Sequence, residues 1–331
     1  MAKIFAAFAD GWGRVLRAPA ILFGAFAVTW LVAFPAGRIM DQPVRAAALS
    51  RTDAADALAG GFDRTFTPTL LGADRLVLGV RGFLADGTLP VEIAAAAATT
   101  LLVWTFLLGG ILDRYARRRP IRTQAFFGAS GVFFFRFLRL GVIASAGYYL
   151  LFGLIHPLIF LPSYRWVTSD AAAGTTTVPL LVFPLYAAFL AVASFWSAVV
   201  DYARIRAVVE DRRSMLGAFL AGWRFIVRHP MKTGGLYVLN AAAFGVLLGV
   251  NAIAFPFTPE AGAAGFAALA AANLFLLARL AFKLAFFASQ TALFQRSLAH
   301  AEYTAAPPVL WPESPAAEEI INAAATRPPQ P

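Results

Sequence analysis

The chain contains no cysteine. That excludes disulfide staples, thiol nucleophiles and zinc sites built on thiolates. Histidine is scarce as well: His156, His229 and His300 are too scattered to form a ligand motif, so no metal and no cofactor is expected. Acids are few, with 18 Asp and Glu against 28 Lys and Arg. Paired acids, a nucleophile beside its base, H-E-x-x-H, a Walker loop and G-x-G-x-x-G are all missing, and "GASG" at Gly128–Gly131 does not follow a strand. The expectation is a protein that is not an enzyme.

What the chain has in abundance is apolar surface. Hydrophobic residues make up 60% and charged residues 14%, and the mean hydropathy is +0.68. No soluble fold buries so much, and several runs exceed the about 18 to 20 residues that cross a bilayer. Spans are expected near Ala20–Arg38, Val91–Leu112, Leu140–Leu161, Pro179–Val200, Gly234–Phe255 and Gly262–Leu293. None alternates with period two, so hydrogen bonding of the backbone in hydrocarbon falls to helices. The predicted fold class is an all-α, polytopic helical membrane protein with about six transmembrane helices.

Basic residues set the orientation. With a cytoplasmic N-terminus, 19 of them fall in inner segments and 7 in outer segments, where nine acids dilute them. This asymmetry predicts both termini in the cytoplasm. The net charge of +10 is then a topology signal, and with no stacking or RNP-like pattern no nucleic-acid partner is expected.

Two phrases recur. "AFADGWGRVLRAP" (Ala7–Pro19) returns as "AFLAGWRFIVRHP" (Ala218–Pro230), and a looser copy, "AFFGASGVFFFRFLR", runs from Ala125 to Arg139. Each precedes a span. "LGGILDRYAR" (Leu108–Arg117), "FWSAVVDYAR" (Phe195–Arg204) and "FASQTALFQR" (Phe287–Arg296) align without a gap. The repeating unit is therefore read as an amphipathic interfacial helix followed by a hairpin of two spans, three times over, with boundaries near residues 1–122, 123–212 and 213–300. On a helical wheel Phe5, Phe8, Trp12, Val15 and Leu16 oppose Lys3, Asp10, Arg14 and Arg17. That pattern suits the headgroup layer, with Trp12, Arg17, Trp223 and Arg228 as interfacial anchors. Three such helices form a cytoplasmic collar, a candidate surface for a protein partner.

Two segments stand outside the repeat. Residues 41–90 carry enough apolar positions to suggest an extracytoplasmic cap of short helices. The stretch 301–331, rich in proline and alanine, is read as a disordered cytoplasmic tail.

Inside the spans the informative residues are those that cost energy. Arg279 lies near the middle of the last span, Lys283 one turn later and Gln290 two turns beyond that, all on one stripe at helical spacing. A charge at such depth costs about 2.5–3.5 kcal/mol. Asp113 and Asp201 are placed at inner edges and Glu92 at an outer one, so no acid is expected to pair with them. The stripe is predicted to face the bundle interior and bind an anionic group; snorkelling towards the headgroups is the alternative. Ser145, Tyr149 and His156 form a weaker stripe, as do Asn240 and Asn251 beside the Gly245-x-x-x-Gly249 pair. Both are read as contacts that join helices.

The segments "GGILDRYARRRP", "VVDYARIRAVVEDRRSMLGAFLAGWRFIVRHP" and "FFFRFLRLG" resemble uncharacterised bacterial six-span integral membrane proteins. More distantly they are similar to the membrane domain fused to some glycerophosphodiester phosphodiesterases. The resemblance covers residues 100–300 and implies a bacterial inner-membrane location with a connection to lipid; no phosphodiesterase domain is present, so no catalytic residue carries over. Two functions follow as expectations. The first is a non-catalytic inner-membrane protein that organises a membrane complex or binds or senses anionic lipid. The second is a transporter or lipid-handling carrier for an anionic substrate at Arg279 and Lys283.

Overall fold

The structure, a computed structural model, describes residues 2–49, 91–118, 120–167, 177–254 and 263–297. The helices are α1 (Ala2–Leu16), α2 (Pro19–Leu49), α3 (Val91–Arg117), α4 (Thr123–Tyr148), α5 (His156–Val167), α6 (Thr177–Val209), α7 (Met215–Arg228), α8 (Pro230–Ala254) and α9 (Ala263–Ser297). A π-helical stretch, Tyr149–Ile155, joins α4 to α5. No strand occurs among the described residues. Among the described residues five helices are long and apolar enough to cross a membrane, and a sixth span counts if α1 and α2, bent by 74° at their junction, are one. The six apolar runs of the sequence fall on α2, α3, α4 with α5, α6, α8 and α9.

The breaks follow local chemistry. Pro19 and Pro230 open α2 and α8, where the missing N–H costs nothing and the fixed φ suits the first turn. Ser214 caps α7 by accepting a hydrogen bond at Oγ from the Gly217 N–H at 3.2 Å. Just beyond α3 and α6 the chain turns through left-handed residues, Arg118 (φ 57°) and Asp211 (φ 46°). The looser copy of the first phrase behaves differently from the other two. Residues 125–139 are not a separate interfacial helix; they lie within α4, in an apolar stretch running unbroken from Thr123 to Phe160. The physical reason is the missing proline, since Gly141 stands two residues after Arg139 where Pro19 and Pro230 stand two residues after Arg17 and Arg228.

The buried residues of α3, α6 and α9 concentrate in their C-terminal halves, with Tyr115, Tyr202 and Phe294 each wholly buried. Each of these helices touches the other two, while α4 packs on α3, α7 on α6 and α1 on α9. Close approach depends on small residues. A Cβ added at Gly11 would lie 2.6 Å from the Ser289 N, one at Gly110 2.6 Å from Ser130 Oγ, and one at Gly222 3.0 Å from the Ala203 N. Lipid gives little hydrophobic drive to helix association, so tight backbone approach and hydrogen bonds across helices carry it. Gly245 and Gly249, by contrast, face open space, and that pair does not join helices. Asn240 does, donating from Nδ2 to Ser289 Oγ at 3.3 Å.

α1 turns Ile4, Ala7, Gly11, Arg14 and Val15 inward, and α7 buries Met215, Ala218, Gly222, Phe225 and Ile226 at the same spacing. The bulky Phe5, Leu16, Leu216 and Leu220 point outward. Arg14, read as part of the polar outer face, is buried. Of the expected cap, residues 41–49 extend α2; the rest of it, and the tail from 301, lie outside the described residues.

Candidate functional site

Arg279 and Lys283 stand one turn apart on α9, and both are exposed. They do not face a closed interior. The packed part of α9 begins at Leu280 and Leu284 and runs to Phe294, so the two cations lie where that packing gives out. The Lys283 Nζ sits 3.5 Å from the centre of the Trp104 ring of α3. A ring face attracts a cation through its quadrupole, by about 0.5–2 kcal/mol depending on desolvation. Neither Arg279 nor Lys283 has a hydrogen bond or ion pair to any described residue. Trp104 was not anticipated, yet a signal for it exists. Extending the alignment of Leu108–Arg117 with Phe287–Arg296 back by one turn sets Trp104 against Lys283, with Ala191 as the counterpart on α6.

Gln290 departs from the stripe. It is fully buried, and its Nε2 donates to Tyr237 Oη at 2.8 Å and to Asp201 Oδ2 at 3.3 Å. Tyr237 Oη donates to the same carboxylate oxygen at 3.0 Å, and Arg204 Nη1 donates to Asp201 Oδ1 at 3.2 Å. Asp201 therefore belongs to the packed interior, its side chain 8% exposed, and α6 continues two turns past it, to Val209. Gln290 Oε1 is buried without a partner among the described residues, as is Tyr202 Oη.

A second charged cluster closes the chain on itself. Asp10 on α1 accepts from Arg14 Nη2 at 3.0 Å, Arg118 Nη2 at 3.1 Å and Arg296 Nη2 at 3.3 Å. Arg14 Nη1 donates to the Tyr115 carbonyl at 2.8 Å, and Gln295 Nε2 to the Ala116 carbonyl at 2.9 Å. Burial pushes the Asp10 carboxyl up, but the hydrogen bond to Arg14 and the charges of Arg14, Arg118 and Arg296 outweigh it and hold the group below the usual carboxylate range. The anchor tryptophans are tied to neighbouring helices. Trp12 meets Phe282 edge-on at 4.8 Å and Trp223 meets Phe195 at 4.9 Å. Arg17 and Arg228 are exposed, and the Arg17 carbonyl accepts from Arg114 Nη2 at 3.4 Å.

Two further features stand apart. Ser145, Tyr148, Tyr149 and Phe152 line an open cleft at the π-helical stretch, and His156 packs among the rings of Phe152, Phe160, Tyr186 and Phe189. No group of three or more His, Asp or Glu among the described residues is placed to hold a metal ion. Chemically, the cation pair beside Trp104 is the arrangement that suits an anion: a guanidinium offers a fork of donors to phosphate or carboxylate, and an ammonium adds a point charge. No protein-family model, curated protein or solved structure matches the chain, and nothing there links it to the membrane domains of glycerophosphodiester phosphodiesterases.

Proposed function

We propose that this is a non-catalytic, multi-pass protein of the bacterial inner membrane, with both termini cytoplasmic, that binds an anionic lipid through Arg279 and Lys283. One observation carries the reading. Two cations sit a turn apart in an apolar stretch, one braced on Trp104, with no acid paired to either among the described residues. At that depth an unpaired charge costs several kcal/mol unless a counter-charge or water reaches it, and a lipid phosphate supplies the counter-charge. The three-repeat organisation is part of the same proposal. Its support is the matching burial of Tyr115, Tyr202 and Phe294 and the parallel pairing of α4 on α3, α7 on α6 and α1 on α9. The collar helices α1 and α7 are the surface proposed for a protein partner.

A carrier of an anionic substrate is the second reading. It draws on the position of the pair just beyond the mutual contact of α3, α6 and α9. The test is native mass spectrometry of the purified protein. Phosphatidylglycerol or cardiolipin should stay bound to the parent and leave the Arg279→Leu and Lys283→Leu variants. Equal lipid retention by all three would overturn the assignment of the site, and anion flux across proteoliposomes would favour the carrier.

A further inference from the structure

The charged cluster around Asp10 lies apart from the cation pair of α9. Arg296 stands more than four turns beyond Arg279 on that helix, about 25 Å further along at about 1.5 Å per residue, so the two places do not share a ligand. Three helices bring three guanidinium groups to one carboxylate. Arg14 of α1, Arg118 from the turn beyond α3 and Arg296 of α9 all donate from Nη2 to Asp10 Oδ2, at 3.0, 3.1 and 3.3 Å. No second acid pairs with any of the three among the described residues. The cluster therefore keeps two positive charges that no described residue balances.

The three arginines are not alike. Arg14 is buried, reaches both Asp10 oxygens and also holds the Tyr115 carbonyl. Arg118 and Arg296 are 52% and 37% exposed, and each gives Asp10 a single N–H. A guanidinium carries five N–H donors in a rigid fork, so four on each remain for an incoming acceptor. Because both side chains converge on the same carboxylate oxygen, their free donors lie side by side at the surface. The backbone holds them there. Gln295 Nε2 donates to the Ala116 carbonyl at 2.9 Å and ties the end of α9 to the end of α3, and Arg118 sits at φ 57°, a left-handed conformation uncommon for a residue with a side chain. Glycine would take that turn without strain, and Arg14 already supplies Asp10 with a counter-charge. What the arginine adds at this position is a donor fork facing outward.

Charge and donor geometry select the ligand. A phosphate monoester carries about −1.5 to −2 at neutral pH and three strong acceptor oxygens, which matches two unbalanced charges and two adjacent forks. A carboxylate or a phosphodiester brings only one charge, and guanidinium forks take phosphate oxygens two at a time. We propose that Arg118 and Arg296 bind a phosphate monoester dianion at the junction of α1, α3 and α9, a site separate from Arg279 and Lys283. Asp10 is the spacer that holds the two like charges together before the anion arrives, and Arg14 fixes Asp10. The monoester is the headgroup of a lipid of the phosphatidic acid kind or a water-soluble phosphate compound, and the same donors serve both.

The experiment is calorimetric titration of the full-length protein in neutral detergent with inorganic phosphate and, in a parallel arm, with short-chain phosphatidic acid. It is run on the parent and on Arg279→Leu, which removes the other proposed anion site. Both should bind, and adding Arg118→Gly or Arg296→Gln should weaken binding by about tenfold or more, the size of a lost charge-assisted hydrogen bond. Arg118→Gly suits the left-handed turn, so it should melt as the parent does while losing the anion. Arg118→Lys, which keeps the charge without the fork, should also bind more weakly. Tighter binding of phosphatidic acid than of inorganic phosphate assigns the site to a lipid headgroup, and equal binding assigns it to a soluble phosphate compound; either result upholds the site. A parent that binds neither probe, or Arg118→Gly and Arg296→Gln variants within twofold of it, overturns the proposal. Binding lost in Arg279→Leu but kept in Arg118→Gly overturns it as well and places the anion at the α9 pair, whereas loss of the Arg279 site alone leaves it standing.

Discussion

Asp10 faces three guanidinium groups, and without it Arg14, whose side chain is 4% exposed, loses its counter-charge. Removing one partner of a fully buried pair costs about 3–5 kcal/mol. Here Arg118 and Arg296 are half exposed and solvent takes part of the loss, so Asp10→Asn should cost about 1–3 kcal/mol in thermal unfolding in detergent. Because the folded Asp10 carboxyl is held below its usual range, its contribution is complete above about pH 4, the ordinary carboxylate value. It fades as pH falls through the depressed value. The Asn variant should lose that part of the acid sensitivity, and a variant that melts like the parent at pH 7 would contradict the role given to Asp10. Residues of this kind were legible in the sequence only where periodicity reveals them. Arg279 and Lys283, one turn apart, could be read from spacing, whereas Gln290, expected on the same stripe, is buried against Tyr237 and Asp201. Trp104 and Asp201 act across helices, and their roles depend on the relative register of α3, α6, α8 and α9, which no single-helix pattern encodes.

The three tight crossings rest on small residues, and they give the clearest test of how the helices associate. Gly11→Val would drive a side chain into the Ser289 backbone, where 2.6 Å is left for its Cβ. Overpacking of this sort costs about 1–3 kcal/mol. Gly11→Val should therefore lower the midpoint of thermal unfolding and loosen α1 from α9, whereas Gly245→Val and Gly249→Val, with open space around them, should leave it within experimental error. Equal effects at all three positions would mean that the G-x-x-x-G pair is the packing face after all. The extents of the helices were readable because long apolar runs bounded by proline and arginine leave few alternatives. The nature of residues 125–139 was not: the phrase resembles its partners in composition, but the proline that separates helix from helix is absent, and the chain continues as α4.

At the scale of the whole molecule, the first and last described helices, α1 and α9, meet. Ala7 and Ala292 are buried in one cluster with Ile4, Leu236 and Leu293, so a double Cys variant at positions 7 and 292 should form a disulfide on mild oxidation. The natural absence of cysteine gives a clean background. Failure to cross-link under conditions that oxidise exposed thiols would contradict the packing of α1 on α9. The sequence showed that the phrases recur but not that α1 closes against α9, because a contact between residues some 285 positions apart leaves no local trace. Topology has its own check: reporters placed near Gly60 and after Pro331 should lie in opposite compartments if the basic asymmetry sets the orientation, and reporters on one side would exclude it. The most direct measurement is the affinity of the detergent-solubilised protein for short-chain phosphatidylglycerol, determined for the parent and for Arg279→Leu, Lys283→Leu and Arg279→Glu. Each leucine substitution should weaken binding by about tenfold or more, the size of a lost charge-assisted hydrogen bond, and the glutamate should weaken it further. Affinities within twofold of the parent in all three variants would show that Arg279 and Lys283 do not form the anion site.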